Sequence, residues 1–459
     1  MNISFVNSIK KNAEVVVACV AADGKIENET AARAAANAHF SPEAGNTLFV
    51  PSERIFLAGT AGDPREAGRA AGKGLYDLDL RDIAMTAPFS GNDLHLFLSA
   101  MAHALYRFEK YRNSEKKPAP SLSVACEDPL DTAGGFKAAR AVAESVAIAR
   151  DLVREPSNIL STTEFARRAT ELDSLGLGVD ILDEDAIKRL GMNLVLAVGA
   201  GAKNPPRVVV IKHYGRKGTR DADVAIAGKG VCFDAGGICL KPRDKMADMK
   251  GDMAGAAAVF AAMRAAAKLD IQANVIGILG IVENLPDGAS FKPGDIISSM
   301  SGKSVEIIDT DAEGRLVLAD AITLAVKKYK PKAVVDIATL TGSICVALGS
   351  SYAGLFCDDE DLAARLVSAG EASRDRLWRM PIGKEYADLN KSSIADISNL
   401  PNKDGNYARD GSASSAAEFI RFFSDGTPWA HIDIAGTAEV GGGSGFGVAL
   451  LVEYLKSIK

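Results

Sequence analysis

Val224-Ala225-Ile226-Ala227-Gly228-Lys229-Gly230-Val231-Cys232-Phe233-Asp234-Ala235-Gly236-Gly237 is the stretch on which the reading of this chain turns. Its first four residues are small or β-branched, without polar alternation, and read as a strand buried on both faces. Directly after them come a lysine set between glycines and an aspartate followed by two more glycines. Asp234 thus falls where a strand ends, and the glycines let the backbone approach a bound group closely.

Comparable apolar runs at residues 194–198, 208–211, 275–279 and 334–337 read as further strands. Helical patterns over 254–268, 316–328 and 412–423 lie between them. Strands alternating with helices predict an α/β fold with a mostly parallel central sheet covered on both faces. Sheets of this kind place their sites at the carboxyl ends of strands.

The first part of the chain alternates as well. Runs at 15–20, 48–50, 55–58 and 122–125 read as short strands, and Pro64 opens a helix running toward Tyr76. Leu94, Phe97, Met101, Leu105 and Phe108 recur at helical spacing and predict a helix over 93–112, with Asp93 as its cap. A polar, proline-containing stretch, 113–121, follows it. Asp131-Thr132-Ala133-Gly134-Gly135 then marks a break in composition, and a connecting helix is expected over 136–153. A chain of 459 residues is too long for one ordinary core. Two domains are expected: a smaller N-terminal α/β domain, 1–132, and a larger catalytic α/β domain, 133–459.

Composition narrows the function. With 47% apolar and 24% charged residues the chain reads as a soluble globular protein. A net charge of −6 offers no general attraction for nucleic acid, and no apolar run is long enough to span a bilayer. The six cysteines form no Cys-x-x-Cys pair, which suits reduced thiols in a cytoplasmic protein. The five histidines form no His-x-x-x-His cluster, so a histidine-rich zinc site is not expected. Phosphate-cradling glycine motifs and the Gly-x-Ser-x-Gly elbow of serine hydrolases are absent too.

Two further runs carry the chemistry. Met246-Ala247-Asp248-Met249-Lys250-Gly251-Asp252-Met253-Ala254-Gly255 precedes an alanine-rich helix. Asp309-Thr310-Asp311-Ala312-Glu313-Gly314-Arg315-Leu316 lies between an expected strand at 305–308 and another helix. If extended, this last run would place Asp309, Asp311 and Glu313 on one side, where they repel unless a cation intervenes. A helix N-terminus accommodates one or two acids, but does not account for Arg315 in the first turn. Taken together, Asp234, Asp252, Asp311 and Glu313 offer four negative charges at element ends. Two adjacent divalent cations would balance them.

These runs, and above all Thr310-Asp311-Ala312-Glu313-Gly314-Arg315-Leu316, resemble the motifs of the leucyl aminopeptidase family (peptidase M17, cytosol aminopeptidase). The likeness continues through Ala338-Thr339-Leu340-Thr341-Gly342 and Trp429-Ala430-His431-Ile432-Asp433-Ile434-Ala435-Gly436. It covers most of 133–459, whereas 1–132 resembles the family only in length and alternation. The resemblance implies a dimetal aminopeptidase that removes residues, preferably leucine-like, from peptides with a free N-terminus. It implies Lys229, Asp234, Asp252, Asp311 and Glu313 as ligands of two divalent ions, Zn or Mn, with Mg or Co also compatible. Lys241 would stabilise the oxyanion, and Arg315 would hold a bicarbonate ion acting as general base. Met249, Thr339, Leu340 and Gly342 would line the substrate site. It further implies a cytoplasmic homohexamer whose macro-like N-terminal domain serves assembly or access. The family usually has asparagine where this chain has Asp309, and many relatives have two glycines in place of Ala254-Gly255. Another two-metal hydrolase, acting on phosphate esters, and a binding or regulatory protein retaining the fold without activity are the competing readings.

Overall fold

The computed structural model describes residues 2–9, 12–26, 28–113, 119–403, 406–407, 411–439 and 442–458. Two compact units form, residues 1–147 and 148–459, divided within the helix Pro129–Arg154. This helix begins earlier than expected, and the Asp131 to Gly135 stretch read as a break is helical. Gly135 has a packing role there, because a Cβ would stand 3.2 Å from the His95 ring.

The first unit holds a six-stranded sheet in the spatial order Asn2–Val6, Ser121–Ala125, Asp82–Thr86, Val15–Val20, Ile55–Gly59 and Thr47–Val50. All pairings are parallel except the last. Two strands escaped the sequence reading: Asn2–Val6 lies at the sheet edge with polar alternation, and Asp82–Thr86 is poor in β-branched residues. The Pro64–Asp77 helix starts as its proline predicts, capped by the Asp63 side chain. The helix expected over 93–112 is Gly91–Ala104 instead, and Asp93 sits in its first turn rather than at its cap. Leu105 closes it; beyond, Arg107 lies 4.0 Å from the centre of the Tyr76 ring and pairs with Asp79 at 3.3 Å. Those contacts replace a continued helix. Most of the polar stretch after it, 114–118, lies outside the described residues.

The second unit is built on eight strands: β1 (Gly178–Leu182), β2 (Arg207–Tyr214), β3 (Val224–Asp234), β4 (Asn274–Asn284), β5 (Val334–Ala338), β6 (Ala353–Cys357), β7 (Leu377–Arg379) and β8 (Trp429–Asp433). Their order is β7-β6-β8-β5-β3-β4-β2-β1. The centre, β8-β5-β3-β4, is parallel, with antiparallel joins at β6-β8, β4-β2 and β2-β1. Every residue of β4, and all of β3 but one, is buried, the charged Lys229, Asp234 and Glu283 included, as strands covered on both faces are. Each buried Val or Ile there contributes about 1.5–3 kcal/mol relative to an exposed one. The helices α1 (Ala254–Lys268), α2 (Gly314–Leu324), α3 (Gly342–Leu348) and α4 (Ser412–Arg421) cover the sheet or approach its ends.

Residues 194–198, read as a strand, form the helix Asn193–Gly199. Asp320, buried on α2, accepts from Leu194 N (2.9 Å) and Val195 N (3.2 Å), and so caps that helix. Leu194, Val195 and Val198 then share one buried helical face. The strand expected at 305–308 is Ser304–Glu306, in a separate small sheet with Ile296–Ser298 and Ile397–Ser398. Among the described residues, no helix is long and apolar enough to cross a membrane.

Candidate metal centre

Lys229 lies within β3, and Asp234 ends that strand; Asp252 lies just before α1, and Glu313 precedes the first residue of α2. Asp234, Asp252 and Glu313, all buried, each offer a carboxylate oxygen within 4.8 Å of the others. Lys229 Nζ sits among them, 2.8 Å from Asp252 Oδ2, 2.8 Å from Glu313 Oε1 and 2.9 Å from the Thr339 carbonyl to which it donates. Lys241 Nζ pairs with Asp234 Oδ2 at 2.8 Å and also with Asp311 Oδ1. Asp311 is the most exposed of the four acids and meets the cluster through Lys241.

The acidic run is not extended. Asp309 Oδ1 accepts from Asp311 N at 2.8 Å, a turn that leaves Asp309 outside the carboxylate group. Asp311 and Glu313 face the two lysines instead. Gly236 and Gly237 both take left-handed backbone, with φ of 88° and 66°. A Cβ on Gly236 would stand 2.9 Å from Asp311 Oδ1, so the glycine is needed for that approach.

The charges perturb one another. Burial, with repulsion from Glu313 and Asp234, pushes Asp311 up to about 7 despite Lys241. Burial also raises Asp252 and Glu313 above the usual carboxylate range, helped by Asp234. Burial pulls Lys229 down, but Asp252, Glu313 and Asp234 outweigh it and hold the ammonium above its ordinary value. Buried Glu313 Oε2 has no hydrogen-bond partner among the described residues. An all-oxygen set with one amine suits a hard or borderline divalent cation. Arg315 is buried too, with Nε and Nη1 lacking partners among the described residues, and burial lowers it to about 10. Two free donors on a planar guanidinium fit a small planar anion.

Of the other expected residues, Thr339 donates through Oγ1 to Asp252 Oδ1 at 2.7 Å, and Leu340 N donates to Asp433 Oδ1 at 3.1 Å. Met249 is half-exposed, and apart from its own helix backbone and chain neighbours no described atom lies within 4 Å of where a Gly342 Cβ would stand.

Several supporting residues had no signal of their own in the sequence. Asn284, ending β4, donates to Asp234 Oδ1 (2.9 Å) and to the Thr310 carbonyl (3.0 Å), and so ties the first and third runs together. Asn399 accepts from Ile308 N (2.7 Å) and donates to the Asp309 carbonyl (2.6 Å), which fixes the acidic turn. The motif around Trp429 has its own logic. Trp429 Nε1 donates to Asp336 Oδ2 at 2.9 Å, and His431 Nδ1 meets Asp336 Oδ1 at 2.5 Å. Asp433 accepts from Thr341 Oγ1 at 2.6 Å.

Fold and site together define an α/β protein with a carboxylate-rich centre at the carboxyl ends of parallel strands. The catalytic-domain profile of the cytosol aminopeptidase family matches residues 147–452. A probable cytosol aminopeptidase of Sinorhizobium medicae is 43% identical, with 93% of this chain and 90% of that protein covered. One from Rhizobium etli (strain CIAT 652) is 42% identical, with coverage of 99% and 98%. Among solved structures, the bottromycin maturation enzyme BotP in complex with Mn superposes with a TM-score of 0.85 at 30% identity, covering 97% of this chain and 99% of that one. The chain belongs to the cytosol aminopeptidase family, peptidase M17, and is a peptidase, a hydrolase of peptide bonds.

Proposed function

We propose that the protein is a two-metal aminopeptidase releasing N-terminal, preferably leucine-like residues from peptides. The observation that carries this reading is the buried group of Asp234, Asp252 and Glu313 with Lys229 and Lys241 seated against it. Lys229, Asp234, Asp252, Asp311 and Glu313 would hold two divalent cations, zinc or manganese in the first instance, with Mg or Co also compatible with the donors. Bound there, the ions would supply Lewis acidity and lower the pKa of the attacking water. Lys241 stabilises charge developing on the scissile carbonyl oxygen. Arg315, whose Nε and Nη1 lack partners among the described residues, would hold a bicarbonate ion, which would supply a general base when bound. Met249, Thr339, Leu340 and Gly342 contact the first substrate residue, and an apolar pocket separates similar side chains by only about 1–3 kcal/mol per methylene. The names of the relatives support a cytoplasmic location, and the resemblance alone points to a homohexamer.

Leucine amide is expected to be hydrolysed and N-acetyl-leucine amide not, with turnover lost on metal stripping and regained on restoring the ion. Turnover of the blocked substrate, or turnover that survives chelation, would overturn the reading.

Metal affinity is expected to depend on pH. Asp311, raised to about 7 from 3.8, must lose its proton to serve as a ligand, and so must the raised Lys229. Affinity therefore falls as pH drops, more steeply below about 7 than above it. The sign for stability is opposite: a raised carboxylate favours the protonated metal-free fold, and its contribution is lost as pH rises from the unfolded value toward about 7. Calorimetric titration in two buffers of different ionisation enthalpy reads the released protons, and a pH-independent affinity would count against the assignment.

A further inference from the structure

Glu439 stands close to the proposed substrate site without belonging to any motif read from the sequence. It follows β8 and a turn in which Thr437 N and Ala438 N both donate to the Ile434 carbonyl, at 2.9 and 2.8 Å. On its other side Gly442 N donates to the Glu439 carbonyl at 2.9 Å. The turn before it and its own carbonyl are therefore held by backbone hydrogen bonds.

The side chain runs to Gly251. A Cβ there would stand 2.6 Å from Glu439 Oε1, so the glycine leaves the room that the carboxylate fills. Gly251 precedes Asp252 and lies two residues after Met249. Across from it, the Cys345 thiol on α3 is pushed up by burial and Asp433, with Glu439 adding to the effect. That helix begins at Gly342. Glu439 thus touches the turn Met246–Gly251 that supplies Met249, and Gly436, three residues before it, leaves room for α3, since a Cβ on Gly436 would stand 3.6 Å from Cys345 Cα.

The carboxylate is half-buried, and no described residue donates a hydrogen bond to it. The charges that act on it are Asp248, which repels, and Lys250, which attracts. Lys250 Nζ donates elsewhere, to the Arg154 carbonyl at 3.3 Å. Burial pushes the Glu439 carboxyl up to about 7, so it carries its charge above about pH 8. Polar groups withdrawn from water are normally paired, and a carboxylate with no donor among the described residues suits an incoming cation.

We propose that Glu439 is a specificity-determining residue, favouring substrates whose first residue is lysine or arginine over uncharged side chains of equal length. The proposal rests on the aminopeptidase reading and refines it. Leucine-like side chains pack on Met249, and a longer chain on the same apolar stem carries its terminal cation to Glu439.

The test compares Lys-Ala with norleucine-Ala, and Ala-Lys with Ala-norleucine, on the full-length, metal-loaded protein and its Glu439→Gln variant, at a pH above about 8 where the carboxylate is charged. The wild-type kcat/KM ratio for Lys-Ala over norleucine-Ala is expected to be about tenfold and to fall to near unity in the variant, chiefly through KM. The Ala-Lys to Ala-norleucine ratio should not move. An unchanged ratio in the variant, or a change confined to the second position, overturns the assignment. Added salt gives a second readout on the wild type, because it erodes a charge-based preference but not one based on shape. If norleucine-Ala itself is not cleaved, it is the aminopeptidase reading that fails.

Discussion

Glu313→Gln is expected to lower leucine amide turnover by at least about a thousandfold while leaving the protein folded. Glu313 is almost wholly buried, lies in the group with Asp234 and Asp252, and has one carboxylate oxygen without a partner among the described residues. Outer partners of metal ligands already cost about 10–100-fold when removed, and Glu313, as a proposed ligand itself, should cost more. Stability should survive, because Lys229 keeps Asp252 at 2.8 Å and the Thr339 carbonyl at 2.9 Å. Metal titration and thermal unfolding, run beside the assay, separate the two effects. A variant that binds metal as the wild type does would remove Glu313 from the ligand set.

Lys241→Ala is expected to split activity from metal binding. Loss of a group that stabilises the oxyanion costs roughly 10²–10³-fold in kcat. Yet Lys241 pairs with Asp234 and Asp311, two of the proposed ligands, so its ammonium competes with an incoming ion. Removing it should leave affinity for the metal equal or higher while turnover collapses. A parallel fall in both would show that Lys241 builds the site and takes no part in the reaction. Undiminished kcat would remove the oxyanion role altogether.

The sequence carried the centre of the fold further than its edges. Strands β3, β4 and β5 were legible at 224–227, 275–279 and 334–337 because burial on both faces leaves Val/Ile-rich stretches there, and the long alanine-rich α1 was read with its true ends. Residues 194–198 misled for the same reason: a short apolar run has no period, and the cap that makes it helical, Asp320, lies more than a hundred residues away. The helix after Gly91 was overrun because Leu105 and Phe108 continue its spacing, whereas Arg107 is drawn off to Tyr76 and Asp79.

The acids Asp234, Asp252 and Glu313 could be proposed as neighbours because each marks the end or start of an element beside the same sheet. Asn284, Asn399 and Glu439 could not, since nothing local distinguishes an asparagine that braces a turn, or a glutamate that fills a glycine's space, from a solvated one. Asp309 has a definite place now. Its carboxylate braces the Asp311 amide within the turn and adds negative charge near Arg315 without joining the cluster.

The two ammonium groups seated among the carboxylates also bear on how the protein matures. With Lys229 and Lys241 supplying positive charge, the core can close on newly made chain before any ion arrives. Loading would then be an exchange on a finished scaffold, in which the ions take the deprotonated Lys229 amine as a ligand, move the Lys241 ammonium aside and release protons. Which ion a given molecule carries would therefore record the supply it met at that late step, and the same polypeptide raised in different media should be recovered with different occupants.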